Sequence, residues 1–152
     1  MAASAFIAFD KYPLNTMNNN INMADATAGR FKCILATADW TPDVTEEEYN
    51  PASGIGLCEL PTANGYTVGG VALTGISLTE LAGVTKWISD TISWLANGGS
   101  IVARYAAIYE TNNNKFVCYC QPESGANKTA TDGNYFSILP DAAGILFVTK
   151  AA

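Results

Sequence analysis

The run SIVARYAAIYETNNNKFVCYCQ, residues 100–121, reads as a β-hairpin. Ile101, Ala103, Tyr105, Ala107 and Tyr109 alternate with Val102, Arg104, Ala106, Ile108 and Glu110, the period-two pattern of an extended strand. Asn112-Asn113-Asn114 supplies the tip, because asparagine tolerates positive φ. Residues 115–121 return as the partner strand. Cys118 and Cys120 are two apart, so they share a face of that strand and read as small apolar residues against a sheet.

Working outward, the same grammar recurs. Residues 84–89 and 91–96 read as two short strands around Asp90, and Asn97-Gly98-Gly99 as a turn. In GYTVGGVALTG, residues 65–75, Tyr66, Val68, Val71 and Leu73 break strict alternation at Gly69-Gly70, which predicts a β-bulge. Residues 30–37 predict another strand, with Phe31, Cys33 and Leu35 on one face and Lys32, Ile34 and Ala36 on the other. Pro42 and its neighbours stop it. Thr45 is placed to cap a helical turn over residues 45–49, with Glu46, Glu47 and Glu48 at its positive end. Residues 50–57 read as a Pro/Gly loop and residues 122–134 as a polar loop. Residues 135–140 and 145–150 close the chain as strands, joined by Asp141-Ala142-Ala143-Gly144. Phe6, Phe9, Tyr12 and Leu14 in residues 1–14 fit a short helix or an irregular arm equally well.

Sustained helical periodicity is absent. Many short strands between turns predict two packed antiparallel sheets. The expected fold is all-β: an antiparallel β-sandwich, jelly-roll-like, of about eight strands, with residues 1–152 as a single domain and residues 1–20 as an N-terminal arm. A chain of 152 residues buries roughly two-thirds of its unfolded surface and needs no disulfide or metal to fold.

Only 14% of residues are charged, against about a quarter in ordinary soluble domains. The surface is therefore left to Thr, Ser, Asn, Gly and Ala. Such a surface costs little to desolvate, which suits lasting contact with a partner and equally suits a small β protein with neutral loops. Net charge is −6, and the eight Lys and Arg are scattered. Nucleic-acid binding depends on clustered cations, so none is expected. No stretch approaches the ~20 apolar residues of a membrane helix, and the first residues lack a basic, apolar leader. The chain reads as soluble, made in a cytoplasm and free of membrane contact.

Histidine is absent, which removes Ser/His/Asp and Cys/His catalysis. Cys33, Cys58, Cys118 and Cys120 lack metal-ligand spacing and read as reduced thiols, with a Cys33–Cys118 disulfide the alternative. Glu59, Glu80, Asp90 and Glu110 are the candidates for a glycosidase carboxylate pair. Glu110 and Asp90, however, end strands, where exposed charge is expected. Gly69-Gly70 lacks the following Gly-Lys-Ser/Thr of a phosphate loop. Asp132-Gly133-Asn134 offers oxygens, but fewer than a calcium shell needs, and reads as a hairpin turn. No catalytic residue, metal or cofactor is expected. Trp87 and Trp94 lie inside strands and read as core. Trp40 precedes a loop proline and fits either the core or an exposed sugar-stacking platform.

Five segments in order carry a resemblance: FKCILATADWTPD (31–43), GYTVGGVALTG (65–75), TISWLANGGSIVARYAAIYET (91–111), FVCY (116–119) and DAAGILFVT (141–149). Together the chain resembles a family of small virion structural proteins of tailed bacteriophages, similar to capsid decoration or cement proteins. It departs from that pattern in its extra cysteines and in a longer insert at 97–100. The resemblance implies a non-enzymatic protein on the outer capsid surface, made in the host bacterial cytoplasm. It implies the major capsid protein as partner, and self-association as a homotrimer that bridges neighbouring capsomers. Many copies would multiply a modest energy per contact. Phe6, Phe9, Tyr12, Leu14 and Trp40 are the candidate interaction residues, the arm being either an interaction element or an edge strand of its own domain. A tail- or fibre-associated virion protein and a carbohydrate-binding adhesion module are the alternatives.

Overall fold

The computed structural model describes residues 4–142 and 144–149. Among the described residues, strands and isolated bridges take up 37% and helix 7%. The strands are β1 (Ile7–Ala8), β2 (Phe31–Ala36), β3 (Val71–Ala72), β4 (Ser77–Leu81), β5 (Val84–Ile88), β6 (Ile92–Leu95), β7 (Ile101–Ala103), β8 (Tyr105–Glu110), β9 (Lys115–Cys120), β10 (Lys128–Ala130), β11 (Tyr135–Ile138) and β12 (Leu146–Thr149). The helices are α1 (Tyr12–Met17) and α2 (Gly54–Leu57). The protein is all-β, antiparallel and sandwich-like. Among the described residues there are twelve short strands rather than about eight.

A five-stranded sheet of order β1-β9-β8-β2-β3 forms the centre. On β2, Phe31, Cys33 and Leu35 face a large apolar cluster, and Ile34 and Ala36 face a smaller one. The alternation read from the sequence therefore holds. On β9, Cys118 and Cys120 share the large cluster, while Phe116 and Tyr119 point the other way. The register between β8 and β9 slips between Ile108 and Tyr109, which leaves Val117 as the extra residue of a bulge. Val117 and Cys118 consequently enter the same cluster.

The large cluster is closed by a second layer split into three small sheets, β12-β5-β4, β11-β6 and β10-β7. Trp87 meets Phe31 edge-on at 5.0 Å, and Trp94 meets Phe136 at 5.9 Å. The smaller cluster is closed by irregular chain. Trp40 stands edge-on to Tyr105 and Tyr119, Tyr49 stacks on Tyr109 at 4.5 Å, and Phe9 stacks on Phe116 at 4.7 Å. Such aromatic pairs contribute about 0.5–1.5 kcal/mol each beyond the area they bury.

Several expectations are corrected. The strand of residues 100–111 breaks at Arg104, whose N–H bonds the Ala36 carbonyl. Before the break β7 pairs with β10; after it β8 pairs with β2 and β9. The chain changes layer there, so Ile101 and Ala103 share their cluster with Ala106 and Ile108, not with Tyr105 and Tyr109. In residues 65–75 only Val71–Ala72 is strand. Gly70 (φ 74°) is a turn residue, and a Cβ there would lie 1.9 Å from the Cys33 carbonyl oxygen. No helical turn covers residues 45–49. Asp43, not Thr45, closes that turn by accepting the Thr45 N–H and hydroxyl. The short helix α2 lies instead within the expected loop of residues 50–57, and β10 within that of residues 122–134. Strand β5 falls within the expected strand of residues 84–89, but its hairpin partner β4 was not expected. The hairpin's loop is Ala82-Gly83 with φ of 52° and 81°, the two positive values of a type I′ turn. Of the closing segment, Ala143 and Lys150 lie outside the described residues.

All four cysteines are free. Cys33 and Cys118 both register with Ile108, so β8 separates them by two strand spacings, roughly 10 Å, beyond disulfide reach. Burial pushes the thiols of Cys33 and Cys118 well above the ordinary range and that of Cys120 up to about 12. In the folded protein a thiol reagent should therefore label Cys58 alone, and all four cysteines once guanidinium is added. Labelling of Cys33 at native pH would contradict this packing.

Ala82 is a β-carbon residue in the left-handed region, which costs about 1–2 kcal/mol and suits asparagine better. Ala82→Asn should raise the unfolding free energy by roughly 0.5–1 kcal/mol in urea titration, with an unchanged m-value.

Candidate functional site

A groove of about 480 Å³ opens between α1, the turn after it and the β12-β5-β4 sheet. Cross-strand register places Leu78, Trp87 and Leu146 in one row, and Glu80, Thr85 and Val148 in the next row of the same face. Pro13 stands at the start of α1, where its fixed φ favours the helix and its missing N–H costs nothing. That short helix presents Tyr12, Pro13 and Thr16 to the groove. The walls are tied together by Trp87, whose indole N–H donates to the Met23 carbonyl at 3.0 Å.

Among the described residues that line the groove, none carries a charge at neutral pH. Tyr12 is the titratable group there, and burial, then the nearby Cys118 thiol, raise its hydroxyl. Within the groove stand apolar side chains in water: Val148 is 66% exposed and Leu78 46%, and exposed Glu80 stands in the row of Val148 at the groove's edge. The arrangement can exclude water from an apolar group. It offers no paired acid and base.

The candidate interaction residues divide. Phe6 is half-buried against the large cluster, and Tyr12 lines the groove. Leu14 is exposed. Phe9 and Trp40 are corrected: both are buried in the smaller cluster and present no surface. Trp40 donates to Glu46 Oε1 at 2.7 Å, which explains why its indole tolerates burial. The arm itself pairs as an edge strand, with Ile7 opposite Tyr119 and Ala8 opposite Cys118. Leu78 went unread as a site residue because the sequence pattern did not disclose β4; Leu146 and Val148 lie in the expected strand of residues 145–150, but their place in a groove depends on that hidden neighbour.

The four candidate carboxylates are each held by hydrogen-bond donors of the fold. Glu80 accepts the Gly83 N–H of its own hairpin, and Asp90 accepts the Thr74 hydroxyl. Glu110 is buried at 2% exposure, contrary to the expected exposed charge. It accepts the N–H groups of Asn112 and Asn113 and pairs with Arg30 at 3.0 Å, so it braces the hairpin tip. Glu59 accepts hydroxyls from Tyr49 and Tyr66, each at 2.5 Å, and the Gly69 N–H at 2.7 Å. Tyr109 donates to the Gly69 carbonyl and completes the cluster. Asp132-Gly133-Asn134 forms the expected turn, with Asp132 accepting the Gly98 N–H. Among the described residues no three His, Cys, Asp or Glu are grouped to hold a metal ion, and no helix is long and apolar enough to cross a membrane.

The chain matches no protein-family model, no curated protein and no solved structure.

The tyrosine cluster makes stability sensitive to alkali. Burial, then the Glu59 charge, push the Tyr109 hydroxyl from 10 up to about 12. Burial and the bond to Glu59 push Tyr49 and Tyr66 up as well. The folded state keeps these protons longer than the unfolded chain does. Their contribution is therefore intact below about pH 10 and is lost as pH rises through 12. Tyr66→Phe, which removes a hydrogen bond to a carboxylate, should cost roughly 1.5–3 kcal/mol and flatten that alkaline limb in denaturant titrations at stepped pH.

Proposed function

We propose that this protein works by surface contact as a virion structural protein, a capsid decoration or cement protein. It would sit on the outer shell as a homotrimer and bridge neighbouring capsomers of the major capsid protein. The observation that carries the reading is the groove itself, whose lining residues are uncharged and include exposed Leu78 and Val148. Contiguous apolar surface of this kind on a soluble domain marks a contact site. The low charge of the chain supports it, because little polar surface must be desolvated on assembly. The candidate carboxylates are occupied by structural bonds, which fits a protein without a reaction to perform. The resemblance in segment order supplies the virion context. The carbohydrate reading loses its motivating residues, since Trp40, Trp87 and Trp94 are 4%, 2% and 5% exposed.

Removing residues 1–14 would strip Phe9 from the core, so point substitutions give the cleaner test. Ala24→Lys and Val148→Lys, at exposed positions in the groove's lining, should change unfolding free energy by no more than about 0.5 kcal/mol, as exposed positions do. They should nevertheless lower occupancy on purified particles, measured by icosahedral cryo-EM reconstruction. Wild-type density between capsomers is the expected result. Density confined to the tail, or unchanged occupancy of both variants, would overturn the cement assignment.

A further inference from the structure

Two Asn-Gly steps lie against each other at one end of the sandwich, and the fold treats them differently. Asn64-Gly65 forms a tight two-residue turn, with Ala63 and Tyr66 exchanging both backbone hydrogen bonds at 3.1 and 2.8 Å. The Asn64 amide nitrogen donates to the Ser100 carbonyl at 3.0 Å. Gly65 presses on β6 so closely that a Cβ would lie 2.0 Å from the Leu95 carbonyl oxygen. The amide is held and the backbone has no room to turn.

Asn97-Gly98 is the opposite case. Asn97 is exposed, and among the described residues its side-chain amide has no hydrogen-bond partner. Gly98 has φ 81°, and the space where a Cβ would stand is open. Its N–H points at a carboxylate: Asp132 Oδ1 accepts it at 2.8 Å. Asp132 is fixed there by the turn of residues 131–134, in which Asn134 N–H bonds the Thr131 carbonyl and Gly133 N–H bonds the Ala96 carbonyl.

We infer that Asn97-Gly98 is a self-modification site at which Asp132 serves as the base for loss of the Asn97 amide. The Gly98 N–H proton passes to the Asp132 carboxylate as the nitrogen forms a bond to Asn97 Cγ. The bond from Cγ to the amide nitrogen then breaks, and ammonia leaves carrying the returned proton. The product is a five-membered succinimide. Water opens it at either carbonyl to give aspartate or isoaspartate at position 97. The net change is amide plus water to acid plus ammonia, with no oxidation. It adds one negative charge beside Asp132 to a chain of net charge −6. The isoaspartate product also lengthens the backbone within the segment that bonds Asn64 and Gly133. Both hairpins loosen as a result.

The test is peptide mapping by mass spectrometry, with an isoaspartate assay, on the full chain warmed for days at neutral pH. Conversion at Asn97 should exceed that at Asn64 by at least ~10-fold. Asp132→Asn keeps an oxygen acceptor for Gly98 but removes the base. It should slow conversion by at least ~10-fold, at the modest end of a general base's usual contribution of about 10²–10⁴. Asn97→Gln should abolish conversion at that position without altering the melting temperature. Equal conversion at Asn64, persistence of both amides, or an Asp132→Asn variant that converts as fast as or faster than wild type would each overturn the inference. The last outcome would mean that the hydrogen bond only holds the loop.

Discussion

Strand β8 meets water on neither face, and the rest of the structure is arranged around that burial. All six of its residues are buried. Ala106 and Ile108 face the large cluster, while Tyr105, Ala107 and Tyr109 face the small one. Its backbone is paired along both edges, to β2 and to β9. A strand in that position must be apolar on both sides, and that requirement creates two cores from one sheet. The second core then needs a cover, which residues 37–60 provide with little regular structure beyond the four-residue α2, whose Ile55 enters that core. Their own backbone is satisfied by bonds back to the sheet region, such as Thr37 N–H to the Cys58 carbonyl and Leu60 N–H to the Leu35 carbonyl. An irregular cover is tolerable only because such bonds exist.

Much of this was legible in the residues. The alternation of Phe31, Cys33 and Leu35 against Ile34 and Ala36 is what a doubly buried strand looks like when it carries a different apolar set on each face. The asparagine hairpin after β8 could be read from asparagine's tolerance of positive φ, and Asn114 has φ 54°. What was illegible has physical causes. Alternation across Arg104 looked continuous because Ala103 and Tyr105 are both apolar, and local pattern carries no signal for a change of layer. Gly69-Gly70 resembled a bulge because glycine marks both a bulge and a close backbone approach. The hairpin β4–β5 was hidden because Ala82 is an improbable residue for the first position of a type I′ turn.

The candidate site was less legible than the fold, for a related reason. A groove arises where two elements meet, and one of its walls belongs to the hairpin whose turn gave no signal. Carboxylates mislead in a similar way. Glu110 sits at a strand end, where an exposed charge is the ordinary expectation. Yet the tip of its hairpin directs two backbone N–H groups inward, and Arg30 arrives from the start of β2. Charge burial is favourable only with such a full set of partners. One of those partners is non-local, since Arg30 lies eighty residues away in sequence. Trp40 repeats the lesson: the partner that allows its burial, Glu46, belongs to an acidic run that looked like a solvated turn.

The groove differs from both cores in how its walls are held. The body of the sheet is fixed by long ladders and by aromatic contacts on each side. The wall formed by α1 is anchored through β1, a strand of two residues, and through the stacking of Phe9 on Phe116. The opposite wall is anchored mainly where Trp87 enters the large cluster and Ile145 N–H bonds the Trp87 carbonyl. Trp87 therefore acts twice, since its ring packs on Phe31 while its indole N–H holds Met23 at the groove's base. A rigid core thus carries a groove whose floor is fixed and whose outer rims, at Ala24 and Val148, stand exposed and are not braced by packing. Local stability follows contact density. The rims are therefore the part of the molecule that adjusts most cheaply to whatever surface it meets, while the floor keeps its shape.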